Sequence, residues 1–332
     1  MQVQVPLVTK SVGRTPDSPR RGLSFLPLAA LCLAAGAAVG HAQTASENYG
    51  NVDTWLGQGN ASVTGPQALR DNACVPTASA NGLSYVEAYQ LFVSKPDPFT
   101  VSPNDYTAVN ALITSMGTTT GGTTTSGQMN GLKTYLGAGG ANPAPNIKLS
   151  GQVSPMEVAG VNGLTGFYGG GVNGGIAMRN ENPTAQFMAH ALSQNSGLEM
   201  GIAWGSVSGG AFTAAGGHEV TVTSINMSGG SGTIGILDPW GTEVGGHAGS
   251  SATVELLSVT TVTITGRGSF LQVTYPDLYV GPDEPSTSFF AGGGKTGIIV
   301  DTAVQSVPDG GTTSVIFGSA AFGLMAWRRR LA

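Results

Sequence analysis

The chain predicts an α+β fold, a helical N-terminal part followed by an antiparallel sheet, on three observations. Apolar residues recur at helical spacing from Pro76 to about Val93 and in shorter stretches as far as Gln194. From Leu198 onward the apolar runs become short and β-branched, bounded by glycine and asparagine. Helical and extended patterns are thus segregated along the chain, where a doubly wound sheet would alternate them. Composition agrees: 52 glycines, with abundant threonine, serine and asparagine, suit turns and strands better than a helical bundle.

In chain order, residues 1–42 read as a signal peptide. A basic start (Lys10, Arg14, Arg20, Arg21) leads to the apolar run Leu23 to Val39, and the small residues Gly40-His41-Ala42 suit cleavage by a signal peptidase before Gln43. Cys32 lies inside that run and leaves with it. Leu31 ahead of it speaks against lipid attachment, which wants a small residue there.

The mature domain spans residues 43–305. Pro76 suits a first helical turn, so the first helix begins just after Cys74. Asn104-Asp105 can cap a second over Ala108 to Met116, and Gly127 to Leu136 and Pro183 to Gln194 form two more. The glycine-rich tracts Gly117 to Gly127 and Gly137 to Ala144 are loops. Strands follow at Leu198 to Trp204, Val220 to Ile225, Gly232 to Leu237, Val254 to Thr265, Leu271 to Tyr275 and Ile298 to Val300.

Residues 306–332 form a tail. Val307-Pro308-Asp309-Gly310-Gly311 precedes an apolar run from Thr312 to Trp327 and then Arg328-Arg329-Arg330. At ~1.5 Å per residue the run is about 24 Å long, a short transmembrane helix, and the arginines favour the cytoplasmic side. Motif, apolar helix and basic cluster in that order resemble the tripartite PEP-CTERM-like tails that exosortase-type enzymes process in Gram-negative bacteria, in the variant beginning Val-Pro-Asp. The resemblance implies an exported protein on the cell envelope, anchored through its tail until a sorting enzyme acts. A simple tail anchor is the alternative.

Outside the signal peptide and the arginine cluster, seven basic residues face 18 acidic ones, a net of −11, so nucleic acid is not an expected partner. No histidine pair has ligand spacing, and a lone thiol with one histidine falls short of the four ligands zinc prefers, so no metal or cofactor is expected. Gly292-Gly293-Gly294-Lys295-Thr296 lacks the first glycine of a phosphate-binding loop, which would have to be at Phe289.

The chemistry centres on Cys74, the one cysteine that survives export. Unpaired thiols are uncommon in an oxidising compartment, and the two readings are an inert buried residue and a reactive one. A helix N-terminus favours the thiolate through its free N–H groups and dipole. Of the histidines after the signal peptide, His190 falls on a helix and His247 in a glycine-rich loop. His218 opens a strand after Gly216-Gly217. The next strand ends at Asp238, before the turn Pro239-Trp240-Gly241. A hairpin through Met227 to Gly230 with its midpoint at residue 228 puts His218 opposite Asp238, where the carboxylate can orient the ring. Nucleophile, base and orienting acid then have the roles of a triad.

Cys74-Val75-Pro76-Thr77-Ala78 with Asn81 and Tyr85, Gly217-His218-Glu219-Val220-Thr221-Val222 and Leu237-Asp238-Pro239-Trp240-Gly241 resemble the papain-fold cysteine peptidases, in particular the bacteriocin-processing, double-glycine leader branch. The likeness covers roughly residues 60 to 245, with the motifs in the family's order. It implies a papain-like fold, with Cys74 as nucleophile, His218 as base and later acid, and Asp238 as orienting group. It also implies an oxyanion-binding Gln about six residues before the cysteine. Gln67 is seven before and Asn72 two before, so these are the side-chain candidates, beside the backbone N–H of Cys74. Val75 departs from the family, where glycine is common. The expected activity is hydrolysis of a peptide or protein substrate at the cell envelope. The alternative is an inactive papain-like matrix or adhesion protein that binds glycan or protein.

Overall fold

The computed structural model describes residues 43–46, 55–144, 146–154, 177–208, 211–242, 247–264, 268–274 and 296–308. The expected signal peptide and the apolar stretch with its arginine cluster lie outside the described residues.

Helix α1 (Gln67–Arg70) is a single turn, too short to show an apolar period in the sequence. Helix α2 (Cys74–Phe92) starts at Cys74 itself, with Pro76 in its first turn, and most of its length is buried. Asp105 caps α3 (Tyr106–Met116) by accepting from the Thr107 N–H. Thr124 and Thr184 cap α4 (Thr125–Leu136) and α5 (Ala185–Ser193) in the same way, accepting from Gly127 and Phe187. Leu83, Val86, Leu112, Met129, Leu132 and Tyr135 bring α2, α3 and α4 into one apolar core.

The strands are β1 (Gln43–Ser46), β2 (Ile147–Val153), β3 (Ala177–Asn180), β4 (Gly197–Ser208), β5 (Ala211–Ser228), β6 (Ser231–Asp238), β7 (Thr253–Ile264), β8 (Gly268–Thr274) and β9 (Thr296–Pro308). Among the described residues, β4 to β9 pair in sequence and β9 returns to β4, closing a circuit of antiparallel ladders. Alternate residues of these strands, including Met200, Ile202, Val220, Val222, Ile236, Leu257 and Val273, form a second apolar core with Met188 and Leu192 of α5. β1 continues the sheet from β5, and β2 and β3 continue it from β9.

Three strands were not expected from the sequence. β1 and β3 have only four residues each, and in β2 Gly151 interrupts the apolar alternation of Ile147, Leu149 and Val153. β9 is much longer than the three-residue strand expected, because Asp301, Thr302, Gln305 and Ser306 dilute its apolar pattern. It is a central strand: Ser306 is fully buried, opposite Gly197 of β4 on one side and Leu149 of β2 on the other. The sheet therefore includes Ser306–Pro308, just past the expected domain boundary.

Candidate active site

The β5–β6 hairpin turns on Gly229 and Gly230, whose φ angles of 62° and 87° are the left-handed pair that a tight two-residue hairpin requires. Ser228 pairs with Ser231, so the turn is centred beyond residue 228. Continued without interruption, this register would put Asp238 across from Thr221 and leave His218 on the opposite face. A bulge between Val222 and Ser224 prevents that. Past it, Val222 pairs with Ile236 and Thr221 with Leu237, and one further step puts Asp238 across from Val220. The direct opposition of His218 and Asp238 expected from the sequence is thus corrected to a diagonal relation. They lie two residues apart in register and share a face, because Thr223 is the extra residue.

Diagonal positions are spanned by long side chains. His218 Nε2 and Asp238 Oδ1 are 2.7 Å apart, and both side chains are nearly inaccessible to solvent. The backbone N–H of Trp240 donates to the same oxygen at 2.8 Å.

Because β6 stops at Asp238, positions 218 and 219 of β5 have no partner on that strand. The first turn of α2 comes up to this gap. Cys74 at the start of α2 comes beside the His218 ring and the backbone N–H groups of Glu219 and Val75, all of which favour a charge on the sulfur. With Nε2 on Asp238, the imidazole has Nδ1 left for the sulfur. Burial opposes a charge on Cys74, but the hydrogen bond and charge of His218 and the two N–H groups outweigh it, and the thiol falls below its usual 9.0. Burial likewise opposes an imidazolium, but the charge and hydrogen bond of Asp238, with Cys74 beyond, raise His218 well above 6.5. Both shifts favour a thiolate–imidazolium pair. Cys74 remains partly open to solvent.

Gln67 and Asn72 have local partners. Gln67 Nε2 donates to Asp71 Oδ1 at 2.8 Å and its Oε1 accepts from Arg70, while Asn72 Nδ2 donates to the Ala68 carbonyl at 2.9 Å. A different glutamine ties the site together. Gln58 is fully buried, and its Nε2 donates to the carbonyls of Arg70 and Asp71 at 3.2 and 2.8 Å. Its backbone N–H donates to the Pro239 carbonyl at 2.8 Å, joining the loop before Cys74 to the turn after Asp238. Set between two glycines in an aperiodic stretch, Gln58 gives no sequence signal.

Asn81 of the cysteine motif holds this segment in place. Its Oδ1 accepts from the Leu56 N–H and its Nδ2 donates to the Leu56 carbonyl. His247 pairs with Asp71 at 2.8 Å. His190 lies exposed on α5. Among the described residues, no group of three or more His, Cys, Asp and Glu side chains could hold a metal ion.

The VPDSG-CTERM motif family matches residues 306–331. The chain ends in a sorting tail of the PEP-CTERM kind, which marks an exported protein of the bacterial cell envelope or surface and is consistent with recognition by an exosortase-type enzyme. Among the described residues, no helix is long and apolar enough to cross a membrane. No curated protein and no solved structure matches the chain.

Proposed function

We propose that this exported protein is a papain-like cysteine peptidase that hydrolyses peptide or protein amides at the cell envelope through an acyl-enzyme. The observation that carries the reading is the buried 2.7 Å contact of the His218 imidazole with the Asp238 carboxylate, with the Cys74 thiol beside the same ring at the start of α2. The thiolate adds to the amide carbonyl carbon, and the oxyanion that forms lies near the α2 N-terminus, where the Cys74 N–H can donate to it. Imidazolium His218 gives its proton to the departing amine as the C–N bond breaks, leaving a thioester on Cys74. His218 then takes a proton from water, which attacks the thioester and releases the carboxylic acid. Asp238 holds the ring in place and stabilises its charge throughout.

The test is turnover of a set of quenched peptide and protein substrates by wild type, Cys74→Ala and His218→Ala. Cleavage by wild type, lost in both folded variants, supports the reading. Equal turnover by the Cys74→Ala protein overturns it. The binding-protein alternative predicts an inert thiol, whereas a stabilised thiolate is alkylated by iodoacetamide quickly at mildly acidic pH.

A further inference from the structure

Behind the cysteine–histidine pair lies a buried polar cluster that the proposed reaction does not use. Gln128 of α4 is 2% exposed, and its Nε2 donates to Glu199 Oε2 of β4 and to Glu219 Oε1 of β5, each at 2.9 Å. Glu199 is fully buried and Glu219 nearly so. Glu199 Oε2 also accepts from the Ser79 hydroxyl of α2 at 2.6 Å, while its Oε1 has no hydrogen-bond partner. Thr221 of β5, on the same face as Glu219, donates to the Ala78 carbonyl of α2 at 3.0 Å.

The connections close a ring. Cys74 begins α2, and Ser79 on that helix reaches Glu199. Glu199 shares the Gln128 amide with Glu219. The backbone N–H of Glu219 returns to the Cys74 sulfur. Burying two carboxylates around one amide is costly, and apolar residues of similar volume would pack the same space more stably. What the polar groups add is direction: Ser79–Glu199 ties α2 to β4, Thr221–Ala78 ties it to β5, and Gln128 of α4 holds the two carboxylates of β4 and β5 in place.

We infer that Gln128, with Ser79 and Glu199, is a positioning residue: it seats the cysteine helix so that the sulfur meets the Glu219 N–H and the His218 ring. The inference rests on the thiol chemistry proposed above. Its consequence is that removing the bridge lets α2 shift, lengthening both contacts to the sulfur and returning the thiol toward ordinary behaviour while the triad residues stay in place.

The experiment is the pH profile of Cys74 alkylation by iodoacetamide on the full chain, read at the Cys74 peptide by mass spectrometry, for wild type, Gln128→Met and Ser79→Ala. Circular dichroism checks the fold of each. Gln128→Met should lower the rate at pH 6 at least about tenfold and move the profile toward that of an ordinary thiol. Ser79→Ala should move it the same way by less. A folded Gln128→Met protein with the wild-type profile overturns the inference, because a purely structural role would lower the melting temperature and leave the profile alone. If Gln128→Met does not fold, an unchanged profile in Ser79→Ala overturns it. A wild-type Cys74 that itself titrates as an ordinary thiol overturns the peptidase reading and this inference together. A depressed wild-type profile shared by both variants removes this inference alone.

Discussion

Replacing Glu199 by glutamine should make the protein's stability less dependent on pH. Burial raises the Glu199 carboxyl from 4.5 to about 7, against the opposing hydrogen bonds from Ser79 and Gln128. Below pH 4.5 the folded and unfolded chains both hold this proton, and the group adds no pH dependence. Between 4.5 and about 7 the unfolded chain releases the proton while the folded chain keeps it, so stability falls as pH rises. Above that range both forms are ionised and the loss is complete. At ~1.4 kcal/mol per pH unit, the interval amounts to about 3 kcal/mol. Glu199→Gln keeps an oxygen for Ser79 and Gln128 and cannot ionise, so it removes this part of the slope. It also places an N–H₂ where Oε1 lacks a partner, a cost of about 1–3 kcal/mol that is the same at every pH. The readout is therefore the difference between stabilities at pH 5 and pH 8, from urea unfolding of wild type and variant. Wild type should lose up to about 3 kcal/mol more than the variant across that range. Equal losses in both proteins would refute the argument, showing that Glu199 is ionised in the fold throughout or reaches solvent.

Three further outcomes follow from the site and the sheet. Asp238→Asn removes the charge that raises His218, so the imidazolium should deprotonate at lower pH and the alkaline side of the rate profile should move down; steady-state rates should fall on the order of 10²-fold or more, and an unchanged profile would remove Asp238 from the site. Deleting Thr223 removes the extra residue while retaining the Gly229–Gly230 turn and the pairs on either side of the bulge, so His218 and Asp238 should still share a face and Cys74 should keep its low-pH reactivity; alkylation as an ordinary thiol would contradict the assignment of Thr223 as the extra residue. A chain stopped after Gln305 loses the buried Ser306 and the last β9 pairings with β2, and should melt at lower temperature than one stopped after Pro308.

Local rules read well from the sequence where the signal is local. Asp105 at a helix start, Pro76 in a first turn and the tail's order of motif, apolar run and arginines each act within a few neighbours. The candidate site is legible in the sequence as a set of groups on a shared face, and the diagonal register of His218 and Asp238 is not. Thr223 lies between Val222 and Ser224 and looks like any other residue of a β-branched strand, so nothing in the sequence marks it as the extra one. Gln58 has no periodic context at all. Gln128, Glu199 and Glu219 lie far apart along the chain, and a polar residue on a helix or strand reads as solvent-facing until something is packed over it.

Read alone, the chain specifies its chemical inventory: a thiol just ahead of a helix, a histidine and an aspartate on two neighbouring strands, an acidic body and an envelope-sorting tail. Whether those groups meet was set by the closure of β4 to β9, by a single bulged residue and by the polar bridge beneath α2. Hydrogen-bond register and side-chain burial are properties of surfaces in contact, and those surfaces exist only once distant segments have packed together.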